Sequence, residues 1–302
     1  MTADSKPFSS VPGVELGTTR GLASVRVDTP EASGLVFLQG AHVAEWTPKG
    51  HSPVLWLSEK TEYKLGKALR GGVPICFPWF GAHPEHADYP AHGFARTRLF
   101  SYGGASIESG GRVALEFSLA SDAESKALFP YVFEARLRVV LGAALSLEFS
   151  VTNGDEQPFS FEEALHSYFH VSDVREAALA GLQGSTYRDK VRGLAECSES
   201  AAELRFSGET DRVYTSAATC TIVDPALARA IRVEKSNSQT TVVWNPWAAR
   251  AAQMADFRGD AWPTMLCVES ANVAGAKVTL APGHTHTLRV TVSVTSPAAS
   301  AG

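Results

Sequence analysis

Hydrophobic residues recur at every second position along several segments of this chain. Val113–Leu119 alternates apolar with small or polar residues, and Leu145–Val151 and Leu288–Val294 repeat the pattern. Successive side chains of a β-strand point to opposite faces, so each run predicts a strand with one buried and one solvated face. Shorter runs predict six more strands: Leu22–Asp28, Leu35–Gln39, His42–Trp46, Val132–Leu141, Ile231–Glu234 and Thr240–Trp244.

Helical segments are few. One is predicted over Ser121–Leu128, with Ser121 or Asp122 as its N-cap, and another over Trp247–Phe257. Because helices do not regularly separate the strands, a doubly wound α/β fold is disfavoured. We expect an all-β chain, one large antiparallel sandwich, with residues 1–302 as a single domain. Its core runs from about residue 20 to about 295, with frayed ends.

Charge and cysteine usage exclude several classes of function. The formal charge is −5, whereas general binders of nucleic acid or anionic membranes carry an excess of cations. Four cysteines lie far apart with no CxxC pair, which indicates buried thiols. The N-terminus lacks the apolar region of a signal peptide, and the longest apolar run is too short to span a bilayer. We expect a soluble, cytoplasmic protein that binds neither nucleic acid nor membranes.

Two segments break the alternation. Gly66–His83 and His92–Thr97 concentrate Gly, Pro, aromatic, Arg and His residues. Such loops on a rigid scaffold commonly hold sites, and rings beside Arg and His suit a sugar. A structured loop that covers a sheet edge explains the same residues equally well. The second segment, Phe161–His170, places His166 and Tyr168 on one face if it is extended, and a lone strand histidine is more often structural.

Other chemistries find weaker support. The loop with His83 and His86 holds residue types that could bind a metal, and so does the pair His284 and His286. No helix is predicted there to align the imidazoles, so a polar loop is the favoured interpretation. No GxSxG, P-loop or GxGxxG motif occurs, which disfavours serine hydrolases, P-loop enzymes and dinucleotide enzymes. The residues considered for metal were His83, Glu85, His86, Asp88, His92, His284 and His286.

Distinctive motifs occur at seven places in the chain: Leu69–Gly81, His92–Arg96, Ala164–Phe169, Thr210–Tyr214, Trp244–Trp247, Met254–Phe257 and Cys267–Ser270. Together they resemble the hexose-6-phosphate mutarotases of the aldose 1-epimerase superfamily. They occur in the family's order from about Gln39 to Ser270, and so cover most of the chain.

The resemblance implies a galactose-mutarotase-like β-supersandwich with an open sugar cleft, acting as an isomerase without cofactor or metal. The reaction it implies is interconversion of the α and β anomers of a hexose 6-phosphate, with glucose 6-phosphate as the expected substrate. Carried over by motif, the implied catalytic acid is His166 and the base Glu269. The implied substrate-binding residues are Arg70, Arg96, His92 and Asp211.

These residue types suit the chemistry. A carboxylate can take the O1 proton while an imidazolium protonates the ring oxygen, and an unperturbed histidine pKa of about 6.5 lets both forms exist near neutrality. Planar guanidinium groups hold a phosphate by paired hydrogen bonds, and Lys67 lies near Arg70 in sequence. Salt-bridged sheet-edge arginines are the alternative interpretation of Arg70 and Arg96.

Two departures from the family pattern concern packing. The chain has Leu99-Phe100 where relatives often place tryptophan, and Ser167 follows His166 where threonine is common. They leave the preferred hexose open. A mutarotase for free hexoses and a non-catalytic phosphosugar sensor remain alternatives. We expect a monomer, because the implied cleft needs no partner chain.

Overall fold

Strands make up most of residues 11–295, which are the residues that this computed structural model of the protein describes. Residues 1–10 and 296–302 of the predicted frayed ends lie outside the described residues, whereas a strand occupies Val14–Thr19, before the predicted start of the core near residue 20. The first strands are β1 Val14–Thr19, β2 Leu22–Asp28, β3 Ala32–Phe37, β4 His42–Pro48, β5 Ile75–Cys76, β6 Ser101–Ile107, β7 Val113–Ala120, β8 Phe133–Leu141 and β9 Ala144–Asn153.

The later strands are shorter on average. They are β10 Phe159–Phe161, β11 Glu163–Leu165, β12 Tyr168–His170, β13 Ala178–Ala180, β14 Thr186–Asp189, β15 Ala195–Ser198, β16 Glu203–Arg205, β17 Thr210–Thr215, β18 Cys220–Asp224, β19 Arg229–Ser236, β20 Thr240–Asn245, β21 Met265–Asn272, β22 Val278–Leu280 and β23 Thr285–Thr295.

Helices are few within the described residues, as the sequence predicts. α1 spans Ala123–Leu128, and Asp122 is its N-cap: its carboxylate accepts the Ser125 N–H at 2.8 Å. α2 spans only Trp247–Ala251, so the prediction of a helix to Phe257 was wrong. Phe257 instead stacks on Trp56 with ring centroids 5.0 Å apart, which draws the chain out of the helix. Short 3-10 helices cover Ala95–Thr97, Ser109–Gly111, Trp262–Thr264 and Ala274–Ala276.

The strands of residues 11–295 form antiparallel sheets, which confirms the all-β prediction. A nine-stranded sheet has the order β16-β13-β18-β19-β23-β9-β8-β7-β6, and a four-stranded sheet the order β1-β2-β3-β4. An eight-stranded sheet has the order β15-β14-β17-β20-β21-β11-β5, with β12 also paired to β21. The pair β10-β22 completes the set. No helix in this range is long and apolar enough to span a membrane.

Alternation along the long strands builds the core. On β9, Leu145, Leu147, Phe149 and Val151 are all fully buried, while the intervening residues are partly exposed. Burying one such side chain stabilises the fold by about 1.5–3 kcal/mol. One apolar cluster includes residues from every sheet. The single-domain organisation stays a prediction.

Candidate active site

A cleft of about 700 Å³ opens over the eight-stranded sheet. Its floor comes from β20 and β21, and its walls come from β17 and from the two irregular segments that break the sequence alternation. The cleft brings together all six residues singled out in the sequence: Arg70, His92, Arg96, His166, Asp211 and Glu269.

His166 and Glu269 form the deepest polar pair. His166 Nε2 lies 3.3 Å from Glu269 Oε1, and the two side chains are 8% and 1% exposed. Glu269 lies within β21, every residue of which is buried. Two short strands pair with β21 around Glu269. β11 pairs through Leu165 with Ser270, and β12 pairs through Tyr168 with Cys267.

Local hydrogen bonds explain why the chain leaves the β11 ladder at His166. The His166 N–H donates to the Pro74 carbonyl at 3.0 Å, and the Tyr168 N–H donates to the Gly72 carbonyl at 2.9 Å. Gly72 has φ +61, and a Cβ there would lie 2.3 Å from the Val43 carbonyl oxygen. The glycine of the Arg-Gly-Gly motif therefore lets this segment pack directly against the backbone at Val43. The imidazole then stacks on the Tyr168 ring at 4.8 Å, as expected for residues that share a face.

Burial sets the protonation of this pair. It raises the pKa of Glu269 well above its usual range, opposed by the charges of Lys190 and Arg96. Burial also lowers the pKa of His166 well below 6.5, helped by His92 and Arg96. The sequence-based expectation that His166 titrates near neutrality was therefore wrong, because it used an unperturbed imidazole. The uncharged pair of carboxylic acid and imidazole differs from the ion pair by one proton moved between the two side chains.

Two buried polar atoms of the pair have no hydrogen-bond partner among the described residues. They are Glu269 Oε2 and His166 Nδ1. Leaving a buried polar group unpaired costs about 1–3 kcal/mol, so native structures usually satisfy them. Both residues line the cleft, so their unpaired atoms mark it as a site for a polar ligand.

His92 lies beside the pair as a neutral imidazole. Burial lowers its pKa to about 3, and Arg96, Lys190 and Arg70 add to the effect. Its Nδ1 accepts the Gly81 N–H at 3.4 Å and lies 3.4 Å from Cys76 Sγ. With Nδ1 used as an acceptor, Nε2 carries the proton and can donate a hydrogen bond to a ligand.

Arg70 is held in place by two partners. Its Nε and Nη2 donate to Asp256 Oδ2 at 3.1 and 3.0 Å, and its Nη1 donates to the Tyr168 hydroxyl at 2.9 Å. Arg96 is less constrained, with Nη2 donating to the Ala91 carbonyl at 2.7 Å. Lys67 is exposed and does not line the cleft, so grouping it with these arginines was wrong.

Asp211 occupies the opposite wall. It lies on β17 and is paired in register with Trp244 of β20, whose side chain also lines the cleft. Burial raises the pKa of Asp211, while Lys190, with Nζ 3.3 Å from Asp211 Oδ1, opposes that rise.

Comparison with known proteins identifies the family of this chain. The sequence profile of the aldose 1-epimerase family matches residues 24–293. The chain belongs to the aldose 1-epimerase family. A protein of Escherichia coli K12, named as a candidate glucose-6-phosphate 1-epimerase, is 38% identical over 248 residues, which are 81% of each chain.

Solved structures agree with the family assignment. A candidate mutarotase from Salmonella typhimurium superposes with a TM-score of 0.88 at 33% identity, over 95% of each chain. A galactose mutarotase-like protein from Lactobacillus casei has a TM-score of 0.72 at 17% identity, over 90% of this chain and all of the other, and supports the fold alone. The predicted galactose-mutarotase-like fold is confirmed.

This aldose 1-epimerase family member has cleft residues that the sequence analysis missed. Lys190 and Glu209 lie on the wall with Asp211, and α2 and the turn after it contribute Arg250 and Gln253. A lysine after a short strand gives no periodic or motif signal, so it passes for a surface charge. The family resemblance found residues in motifs, and these lie outside the residues carried over.

The histidines considered for a metal make other contacts. His83 Nδ1 accepts the N–H groups of Glu85 and His86 at 3.2 and 3.1 Å, and the His83 ring contacts Trp79 edge-on at 4.8 Å. His286 Nε2 lies 2.8 Å from the buried carboxylate of Glu163. Within residues 11–295, no group of three or more His, Cys, Asp or Glu side chains is arranged to hold a metal ion.

Proposed function

We propose that this protein interconverts the α and β anomers of a hexose 6-phosphate, glucose 6-phosphate being the expected substrate, with His166 and Glu269 as the proton-transfer pair. The observation that carries the proposal is this buried pair, 3.3 Å apart, on the floor of a cleft lined by four cationic side chains. The names of its relatives, candidate glucose-6-phosphate 1-epimerases, support the choice of substrate.

Ring opening uses the ion-pair form of His166 and Glu269. The Glu269 carboxylate takes the proton from the anomeric hydroxyl, the C1–O5 bond breaks with its electrons moving to O5, and the His166 imidazolium protonates O5. The product is an open-chain aldehyde, and rotation about C1–C2 followed by the reverse steps yields the other anomer. Each positioned acid or base contributes on the order of 10² to 10⁴ in rate.

Burial acts on the two ends of this reaction in opposite ways. After ring opening the pair consists of a carboxylic acid and a neutral imidazole, the uncharged form that burial stabilises. Burial disfavours the ion pair that opens the ring, so nearby cationic groups must stabilise the Glu269 carboxylate for the reaction to begin.

The remaining groups position the substrate. His92 donates from Nε2 to a sugar oxygen, and Asp211 accepts from a hydroxyl. Arg96 uses one N–H on the Ala91 carbonyl and has others to offer a phosphate, while Arg70 presents a fork fixed by Asp256 and Tyr168. No metal or redox cofactor takes part in these steps.

Two-dimensional exchange NMR on glucose 6-phosphate and on glucose tests this proposal. We expect faster anomer exchange for the phosphosugar. In Arg96→Gln, loss of a charge-assisted contact of about 1.5–3 kcal/mol should lower kcat/KM for the phosphosugar by about 10- to 150-fold and lower any activity on glucose much less. The matched control is Arg136→Gln, an exposed arginine paired with Glu134 on the nine-stranded sheet.

The outcomes separate the alternatives. Equal losses on both sugars, or faster exchange of glucose than of its phosphate, would identify a mutarotase for free hexoses. Tight phosphosugar binding without exchange would identify a non-catalytic sensor. A monomeric state and a cytoplasmic location stay predictions.

A further inference from the structure

Among the described residues, the ion-pair partner of the Glu269 carboxylate is His166, and no arginine lies within 4.0 Å of it. Glu269 and Asp211 both line the cleft, and the charge of Asp211 disfavours ionisation of Glu269. Arg70 is already paired with Asp256, at 3.0 Å. The proposed reaction nevertheless needs Glu269 as a carboxylate, so something must oppose both burial and Asp211.

Lys190 is placed to do this. It follows β14, which pairs with β17 through Asp189 and Arg212, and its own N–H donates to the Asp211 carbonyl at 2.8 Å. The backbone thus fixes Lys190 beside Asp211. The ammonium lies 3.3 Å from Asp211 Oδ1, with side chains 32% and 27% exposed.

An aromatic platform holds the ammonium on the cleft side. Lys190 Nζ lies 4.8 Å from the centroid of the Phe80 ring, within the range of a cation–π contact. The His92 ring contacts the Phe80 ring edge-on, with centroids 4.8 Å apart. The backbone N–H of Phe80 donates to Glu162 Oε2 at 2.9 Å. Phe80 is therefore anchored, and Lys190 has a defined position between a ring and a carboxylate.

We propose that Lys190 is a positioning residue, the shared counter-cation that holds Asp211 and Glu269 as carboxylates during the reaction. This inference rests on the proposed function and adds a residue to it. Lys190 acts through Glu269 and does not itself transfer a proton. Lys190 lines the same cleft as Glu269, and its charge opposes the effect of burial on the Glu269 carboxyl group. The titratable and charged groups that line the cleft with Glu269 are Arg70, His92, Arg96, His166, Lys190, Glu209, Asp211 and Arg250, and its charge also acts on Cys76, Tyr168 and Cys267.

Removing the ammonium has a predictable sign. His166 and Glu269 titrate as a coupled pair that is active with one shared proton, so the pH profile has two macroscopic limbs. Loss of a nearby cation favours every more protonated state, and both limbs should move to higher pH. A single neighbouring charge typically shifts a pKa by about 1 unit or more. Within the singly protonated pair, the balance also tips towards carboxylic acid and imidazole, which lowers kcat.

The test is the pH dependence of kcat and KM for glucose 6-phosphate in Lys190→Gln. We expect both limbs to move up by about 1 unit and kcat at pH 7 to fall about tenfold, with KM within about twofold. Lys190→Arg should restore the wild-type profile, because it keeps the charge. Lys67→Gln is the matched control, since Lys67 is exposed and outside the cleft.

Two results would overturn the inference. A raised KM with an unmoved pH profile would make Lys190 a phosphate ligand, and an unchanged KM and profile would make it a solvated lysine. A second readout is independent of turnover: carboxyl ¹³C NMR of glutamate-labelled protein, with the Glu269 signal assigned by Glu269→Gln. Its titration should move to higher pH in Lys190→Gln. Wild-type protein that exchanges no anomers refutes the proposed function, whereas an unmoved Glu269 titration refutes the role of Lys190.

Discussion

Tyr168→Phe isolates the contribution of one hydroxyl to the Arg70 fork. The ring is buried and stacks on His166 at 4.8 Å with an interplanar angle of 13°, contacts that phenylalanine preserves. The hydroxyl accepts the Arg70 Nη1 hydrogen bond at 2.9 Å. The substitution therefore leaves the His166 imidazole supported and releases one of the two groups that hold Arg70.

The magnitude follows from the character of that bond. Hydrogen bonds to charged groups contribute about 1.5–3 kcal/mol, and the low end applies because the Arg70 side chain is 25% exposed and water can replace the hydroxyl. We expect the free energy of unfolding to fall by about 1.5 kcal/mol. If binding must reorder the fork at a similar cost, KM for glucose 6-phosphate rises by up to about tenfold, since 1.4 kcal/mol is a factor of ten. The kcat should stay within about twofold.

Tyr214→Phe is the control. Its buried hydroxyl accepts from Arg212 Nη1 at 3.3 Å and donates to Glu199 at 3.1 Å, and it does not line the cleft. Urea unfolding and steady-state kinetics should show a similar loss of stability in both variants, with a raised KM in Tyr168→Phe alone. A loss of kcat at constant KM in Tyr168→Phe, or the same KM in both variants, would refute the reasoning.

Two further predictions concern the scaffold of the site. Gly93 has φ +71, and in Gly93→Ala the new Cβ would lie 2.0 Å from the Phe77 carbonyl oxygen. We therefore expect the free energy of unfolding to fall by more than about 2 kcal/mol, and the activity to fall because His92 is displaced. Gly50→Ala is the control: Gly50 has φ +79 with no atom within 4 Å of the new Cβ, so it should cost only about 1 kcal/mol. Equal losses of stability by thermal unfolding would contradict this. His42 is buried and its pKa is lowered to about 3, below the unfolded value of 6.5, so the unfolded chain binds the proton first and stability falls as pH drops through that window. At pH 5, which is 1.5 pH units below 6.5, the loss of stability is about 2 kcal/mol, at 1.36 kcal/mol for each unit. Urea titrations at pH 7 and pH 5 measure this loss. His42→Gln should remove it, whereas His51→Gln should not.

The sequence predicted the long strands well because their burial is one-sided. Alternation identified β7, β9 and β23, where buried residues alternate with more exposed ones along most of the strand. It did not identify β21, which is buried at every position and carries Glu269. Short strands such as β15 and β16 hold too few residues for a period to be visible, and α2 ended early because Phe257 packs on Trp56.

The site was predicted by resemblance, and its electrostatics were not. Motifs identified all six cleft residues because each lies in a distinctive local sequence. The protonation of His166 depends on burial by strands that are remote in sequence, so an unperturbed pKa was the wrong guide. Lys190 reaches the cleft through the register of β14 on β17, and this pairing has no local signature.

The central claim is that a buried carboxyl and imidazole open the ring of a hexose 6-phosphate. Two-dimensional exchange NMR of glucose 6-phosphate at equilibrium measures this directly, with wild type, Glu269→Gln and His166→Gln at equal concentration and folding checked by circular dichroism. Wild type should exchange the anomers much faster than buffer, and each variant should lose at least about 10²-fold of that acceleration. Exchange at the wild-type rate in both folded variants would contradict the claim.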